Sequence, residues 1–129
     1  MAYHQTFTAQ DADIDELGHV NNTVWLRWVQ DIATAHWRAA APAQAVERYI
    51  WVVIRHEIDY RGNMVAGDRA EGRTWIPAPP VGARFDRCVE FTKDGGVLVS
   101  ARSTWAILDR VTGRPLRVPA DLVTIFLDA

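Results

Sequence analysis

The sequence predicts an α+β fold in which a curved, mostly antiparallel sheet of five or six strands wraps one long central helix. Three observations predict it. Between Asn21 and Pro42 the polar residues Arg27, Gln30, Asp31, Thr34 and Arg38 recur at helical spacing as a narrow stripe, while Val24, Trp25, Trp28, Val29, Ile32 and Ala33 are apolar or small. From Tyr49 onward the hydrophobic period changes to two, the period of a strand. Asp94-Gly95-Gly96 then stands between two alternating stretches as a hairpin signal. A helix with so wide an apolar face has to be covered, and the strands that come after it in the chain supply a sheet to cover it.

Residues 3–8 alternate aromatic and polar side chains and read as an opening strand, and residues 10–18 read as an acidic loop. Asn21 or Asn22 is a good N-cap, because its side chain can accept from the unsatisfied N–H groups of the first turn. A helix of about 18 residues at about 1.5 Å each spans about 27 Å, and Pro42 closes it. In the strand that begins at Tyr49, the pattern puts Val52, Ile54, His56, Ile58 and Tyr60 on one face and Arg55, Glu57 and Asp59 on the other. Gly62 and Gly67 punctuate a loop before a strand over 68–76, and Pro77-Ala78-Pro79-Pro80 forces a turn. Residues 84–92 and 97–108 form two more strands. Residues 122–127 read either as a last strand or as a short helix opened by Pro119.

With 129 residues, 49% of them hydrophobic, there is material for one small core, and a single domain over 1–129 is expected. Six tryptophans are many for such a domain to cover, which points to an apolar groove or a subunit interface and favours a homodimer or homotetramer. The formal charge of −2, with scattered arginines, leaves no basic stripe, so no nucleic-acid partner is expected. The first residues lack a basic start followed by an apolar run, and no later segment approaches the roughly 20 apolar residues of a membrane span. A cytoplasmic location without membrane contact is expected. Cys88 is the sole cysteine, which excludes an intrachain disulfide, and paired Cys/His metal spacings are absent. Asp11, Asp13 and Asp15 imitate the opening of a calcium loop, but Glu16 stands where the turn needs Gly and Asn22 where the bidentate Glu belongs. No metal and no cofactor are expected.

The segment Asp13-Ile14-Asp15-Glu16-Leu17-Gly18-His19-Val20-Asn21-Asn22 runs straight into Thr23-Val24-Trp25-Leu26-Arg27-Trp28, joining a carboxylate loop to the helix start. A carboxylate beside free helix N–H groups can attack a carbonyl, or activate water against it, while those groups receive the developing negative charge. This is an acyl-transfer site in outline. Asp15 is equally suited to capping the loop or the helix, and Asp13 to structuring the loop or standing in solvent. Other nucleophiles have little support: Cys88 is mid-strand with no base at a motif spacing and is expected in the core, and Ser100 and Ser103 lack a G-x-S-x-G elbow. His56 reads as a core or pocket-wall residue, and His4 and His36 carry nothing distinctive.

The pattern D-x-D-x-x-G-H-V-N-N followed by an aromatic-rich helix resembles the 4-hydroxybenzoyl-CoA thioesterase-like branch of the hot-dog fold acyl-CoA thioesterases. Its C-terminal counterpart is Trp105-Ala106-Ile107-Leu108-Asp109-Arg110-Val111-Thr112-Gly113-Arg114-Pro115 with Arg117-Val118-Pro119, and together the matches span nearly the whole chain. The resemblance implies the hot-dog architecture, units paired edge to edge with active sites at the seam, and hydrolysis of an acyl-CoA or acyl-carrier-protein thioester. Coenzyme A is then part of the substrate. The resemblance also implies that Asp15 is the catalytic carboxylate, as nucleophile or general base, and that the backbone N–H of Asn22 meets the oxyanion. A thiolate leaves more readily than an alkoxide or amine, so no strong general acid is demanded.

His19 either orients substrate or carries a proton, or else fixes the loop. Trp25 belongs to the core or borders the acyl pocket. Arg55, Arg61, Arg84, Arg87, Arg102, Arg114 and Arg117 are candidates for phosphate contacts at a pocket mouth, with Arg61 first because it leaves a strand at a Gly-containing loop. Many relatives place an aromatic and then Pro before Gly-Asp in this loop, whereas Tyr60-Arg61-Gly62-Asn63 lacks the proline. Two further readings stand beside the hydrolase. One is a hot-dog hydratase or dehydratase, whose D-x-N-P-x-H pattern is missing here; the other is a non-catalytic module that binds an acyl ligand.

Overall fold

The computed structural model describes residues 2–128 and has the expected plan. The strands β1 (Tyr3–Thr8), β2 (Tyr49–Tyr60), β3 (Arg69–Trp75), β4 (Arg84–Lys93) and β5 (Gly96–Asp109) form one antiparallel sheet in the order β1-β3-β4-β5-β2. Helix α1 (Asn22–Ala40) lies across its inner face, followed by the short α2 (Ala43–Arg48), and α3 (Ala120–Asp128) closes the chain. Asn21 is the N-cap of α1, its Oδ1 accepting from the N–H of Thr23 at 2.9 Å. Asn22 is therefore the first helical residue. The terminal segment is a helix, opened by the carbonyl of Pro119, which accepts from the N–H groups of Leu122 and Val123. Pro42 ends α1 as expected, yet it also caps α2, which periodicity over so few residues does not reveal.

The polar stripe Arg27, Gln30, Asp31, Thr34 and Arg38 is exposed, and Val24, Trp25, Trp28, Val29, Ile32 and Ala33 are buried against the sheet. Gly72 of β3 makes room beneath the helix: a Cβ there would stand 3.0 Å from Ile32 Cδ1, 3.0 Å from the carbonyl of Gln5 and 2.9 Å from Phe7 Cε2. The turn between β4 and β5 is the two-residue Asp94-Gly95, with φ of 51° and 80°, the left-handed pair a tight hairpin requires.

One expected face is not continuous. Val53 pairs with Trp105 and Arg55 with Thr104, so Ile54 is an extra residue, a β-bulge. A single insertion reverses the alternation. Tyr49 and Trp51 before the bulge, and His56 and Ile58 after it, lie on the helix side, while Val52 and Ile54 are turned outward, 38% and 46% exposed on the free edge of the sheet.

The interior divides in two. One cluster gathers Trp25, Trp28, Ile32, Phe7, Phe91 and Val99 at the first half of α1; the other gathers Phe85, Ile107, Leu122 and Phe126, with Trp37 and Trp51, at its end. Between them runs a belt of polar side chains: Thr74, Arg87 and His36, and beside these Ser103, His56 and Gln30.

Candidate active site

The acidic loop is built to hold a turn in front of α1. Asp13 is buried rather than solvated: Oδ1 accepts from Arg27 Nη2 of the helix at 3.1 Å, Oδ2 from the N–H of Gln10 at 2.9 Å, and its carbonyl from the N–H of Asn21 at 2.9 Å. Ile14 and Val20 then form an antiparallel bridge that closes residues 15–19 into a hairpin-like turn. The N–H of Asp15 donates to the carbonyl of His19 at 2.8 Å, and Gly18 donates to the carbonyl of Asp15 at 3.0 Å. Gly18 sits at φ 86°, where an L side chain is strained.

Asp15 is half-buried, and its Oδ1 accepts from the N–H of Leu17 at 2.9 Å and of His19 at 3.4 Å. The carboxylate thus shapes its own turn with one oxygen. His19 takes part in the turn through its main chain, and the residue is exposed. At the helix start the N–H of Thr23 is taken by the Asn21 side chain and that of Val24 by the Asn21 carbonyl. The exposed Asn22 presents the first helical N–H, which has no acceptor among the described residues.

Trp25 is 0% exposed, packed edge to face on Trp28 and tilted against Phe91, with Nε1 donating to Asn63 Oδ1 at 3.0 Å. It holds the helix on the sheet. Arg61 is exposed just past β2, its N–H donating to the carbonyl of Leu98 at 2.8 Å. Of the other arginines considered for a pocket mouth, Arg55 pairs with Glu57 at 3.0 Å and Arg102 with Asp86 at 3.0 Å, while Arg87 lies inside the protein, 8% exposed. Cys88 is half-buried but on the outer sheet face, because Phe85, Arg87, Val89 and Phe91 occupy the inner positions of β4. Burial raises its thiol pKa.

Three features escape a reading of the sequence. Asn63 ties the site together: Nδ2 donates to the carbonyl of Val20 at 3.1 Å, and Oδ1 accepts from Trp25 Nε1 and from the N–H of Met64 at 2.8 Å. The available signal was an Asn beside Gly62 and a buried indole in need of an acceptor. Tyr60 donates its hydroxyl to the carbonyl of Asn22 at 3.3 Å, fastening the end of β2 to the helix start. The third is His36, undistinguished in the sequence: it is 4% exposed, and its Nδ1 accepts from Arg87 Nη1 at 2.9 Å. Burial and the adjacent guanidinium lower its pKa to about 4. A cavity of about 230 Å³ opens beside this pair, bounded by Ala33, Trp37, Trp51, Phe85, Trp105 and Phe126, at the opposite end of α1 from Asp15.

Comparison with known proteins places the fold. A predicted thioesterase from Bacillus stearothermophilus superposes with a TM-score of 0.86 at 24% identity, over 98% of this chain and 97% of its own. The 1,4-dihydroxy-2-naphthoyl-CoA thioesterase of Synechocystis gives 0.81 at 14% identity over 97% and 95%, and a Staphylococcus aureus protein solved in complex with CoA gives 0.83 at 15% over 96% and 80%. Palmitoyl-acyl carrier protein thioesterase, chloroplastic, of Gossypium hirsutum is 24% identical over 95% of the chain, which spans 32% of that relative's length. The profile of the thioesterase-like superfamily matches residues 9–126. With that match over most of its length and a five-stranded antiparallel sheet around a long helix, the chain has the hot-dog fold and belongs to the thioesterase-like superfamily.

Proposed function

We propose that the protein hydrolyses an acyl thioester of coenzyme A or an acyl carrier protein, with Asp15 as the reacting carboxylate and the Asn22 N–H as the oxyanion donor. The observation that carries this reading is the turn of residues 15–19, closed by the Ile14–Val20 bridge and followed at once in the chain by Asn21 and Asn22 at the open amide end of α1. As a nucleophile, Asp15 attacks the thioester carbon, the C–S bond breaks, the thiolate leaves and takes a proton from water, and water then hydrolyses the anhydride. As a base, it removes a proton from the water that attacks the same carbon. In both routes charge builds on the carbonyl oxygen, where a helix-terminal N–H stabilises it. The relatives that carry palmitoyl-acyl carrier protein or 1,4-dihydroxy-2-naphthoyl-CoA in their names support both carriers as substrates.

The site reaches completion in a homodimer on this reading. Strand β2 is an edge strand with Val52 and Ile54 turned outward, and a second copy pairing along it covers both. Antiparallel pairing of β2 with itself brings the Tyr49 end of one copy towards the Tyr60 end of the other, which is fastened to the helix start.

The test is thiol release over a panel of short, long and aromatic acyl-CoAs, with product mass separating free acid from hydrated thioester. Asp15→Asn keeps the Oδ1 acceptor of the turn and removes the carboxylate charge. Turnover is expected to fall by about 100- to 10,000-fold with the circular dichroism unchanged. Full activity in that variant overturns the assignment.

A further inference from the structure

The polar belt between the two hydrophobic clusters holds a charge without a counter-charge among the described residues. Arg87 is 8% exposed, and its Nη1 donates to His36 Nδ1 at 2.9 Å and to Thr74 Oγ1 at 3.0 Å. Both partners are neutral at pH 7, Thr74 by its nature and His36 because its pKa lies at about 4. Burial lowers the pKa of Arg87 itself only to about 10, so the guanidinium stays charged. The acids next to it on β4, Asp86 and Glu90, belong to the outer face, where they pair with Arg102 and Arg73. Among the described residues no carboxylate pairs with Arg87. The Phe126 ring, 6.0 Å from its Cζ, offsets only a small part of the cost of taking a cation out of water.

This arginine lines the cavity of about 230 Å³. The walls are aromatic, and among the described residues the other charged side chains on them are those of Arg38 and Arg110, with no Asp or Glu. Arg110 is already engaged, donating to the carbonyls of Val46, Glu47 and Tyr49. Trp105, in the same wall, has a buried Nε1 with no hydrogen-bond partner among the described residues. The cavity is therefore apolar in body and rich in donors that lack an acceptor. An engineered apolar cavity of about 150 Å³ holds benzene, so this one has room for a ring and a short chain. Nη1 is committed to His36 and Thr74, and the Nε–Nη2 edge of Arg87, the edge that takes a carboxylate through two hydrogen bonds, has no partner among the described residues. Arg87 is the buried cation on these walls, whereas Arg38 and Arg110 are exposed, so a single negative charge matches it at depth.

We propose that this cavity binds an organic carboxylate on an aromatic or short apolar body, with the carboxylate on Arg87 and the body among Trp37, Trp51, Phe85 and Phe126. Within one copy the cavity lies at the opposite end of α1 from Asp15, and binding there is measured without turnover. Trp37, Trp51 and Trp105 line it, so entry of a ligand changes the intrinsic fluorescence.

The experiment titrates the wild-type protein with 3-phenylpropionate and with neutral 3-phenylpropionamide, followed by fluorescence and calorimetry. The acid is expected to bind about ten- to a hundredfold more tightly at pH 7, the worth of a charge-assisted hydrogen bond. Arg87→Met is expected to abolish that preference while the amide still binds. Equal binding of acid and amide to the wild type, which needs no variant to fold, overturns the proposal; so does a preference that survives in Arg87→Met, or binding of neither probe. Once binding is established, thiol-release kinetics identify the source of the anion. Competitive inhibition by the acid marks a carboxylate on the acyl group or the released product, and unchanged kinetics mark a separate ligand.

Discussion

Acidification removes stability from this protein through one buried imidazole. His36 is enclosed by Tyr3 of β1, stacked at 5.1 Å, by Phe126 of α3, edge to face at 5.0 Å, and by Arg87 of β4, its charged neighbour. An arginine only donates, so Nδ1 must be the acceptor and the ring proton sits on Nε2. Burial penalises a second proton on the ring and the Arg87 guanidinium repels it, which is why the pKa falls from 6.5 to about 4. Between those two values the unfolded chain binds the proton and the folded chain does not. Stability is therefore full above pH 6.5, declines as the pH falls, and stops declining on this account below about 4. At about 1.4 kcal/mol per pH unit the loss comes to about 3 kcal/mol. His36→Gln keeps an acceptor for Arg87 and cannot titrate. Urea unfolding of both proteins from pH 7.5 to 4 isolates the effect, because the carboxylates common to both cancel in the difference. The variant is expected to be weaker at pH 7 by about 1 kcal/mol of lost ring contacts, and the gap is expected to close and reverse on acidification. A gap independent of pH refutes the reasoning.

Two other perturbations probe the loop and the edge. Asn63→Ala leaves the buried indole N–H of Trp25 without its acceptor and Val20 without a donor, so a loss of about 2 kcal/mol is expected in urea unfolding, with slower thiol release as the Asp15 turn loosens; wild-type stability would show that this bridge does not form in solution. Ile54→Arg puts a charge on the outward bulge of the free edge, and sedimentation is expected to change from dimer to monomer with the circular dichroism intact. A monomeric wild type, or an unchanged dimer in the variant, removes β2 as the interface.

Much of the candidate site was legible because its chemistry is local. Asp15, Gly18, Asn21 and Asn22 lie within eight residues, and the turn and helix cap they make use hydrogen bonds between near neighbours. The face of α1 was legible for a similar reason, since burial there repeats with the helical period from Val24 to Ala33. Periodicity failed where it met an interruption: alternation along β2 breaks at Ile54, and no residue type there announces a bulge.

The amino-acid order by itself determined the long helix, the five strands, the hairpin and the carboxylate loop, and narrowed the cap to Asn21 or Asn22, because each depends on side chains and dihedral angles only a few positions apart. Only the tertiary structure decided what His36 and Arg87 are. They stand 51 residues apart, and each looks unremarkable among its neighbours. Closing the sheet beneath α1 puts the two side chains together away from water, where a charge and a neutral ring constrain each other as they never would in the extended chain.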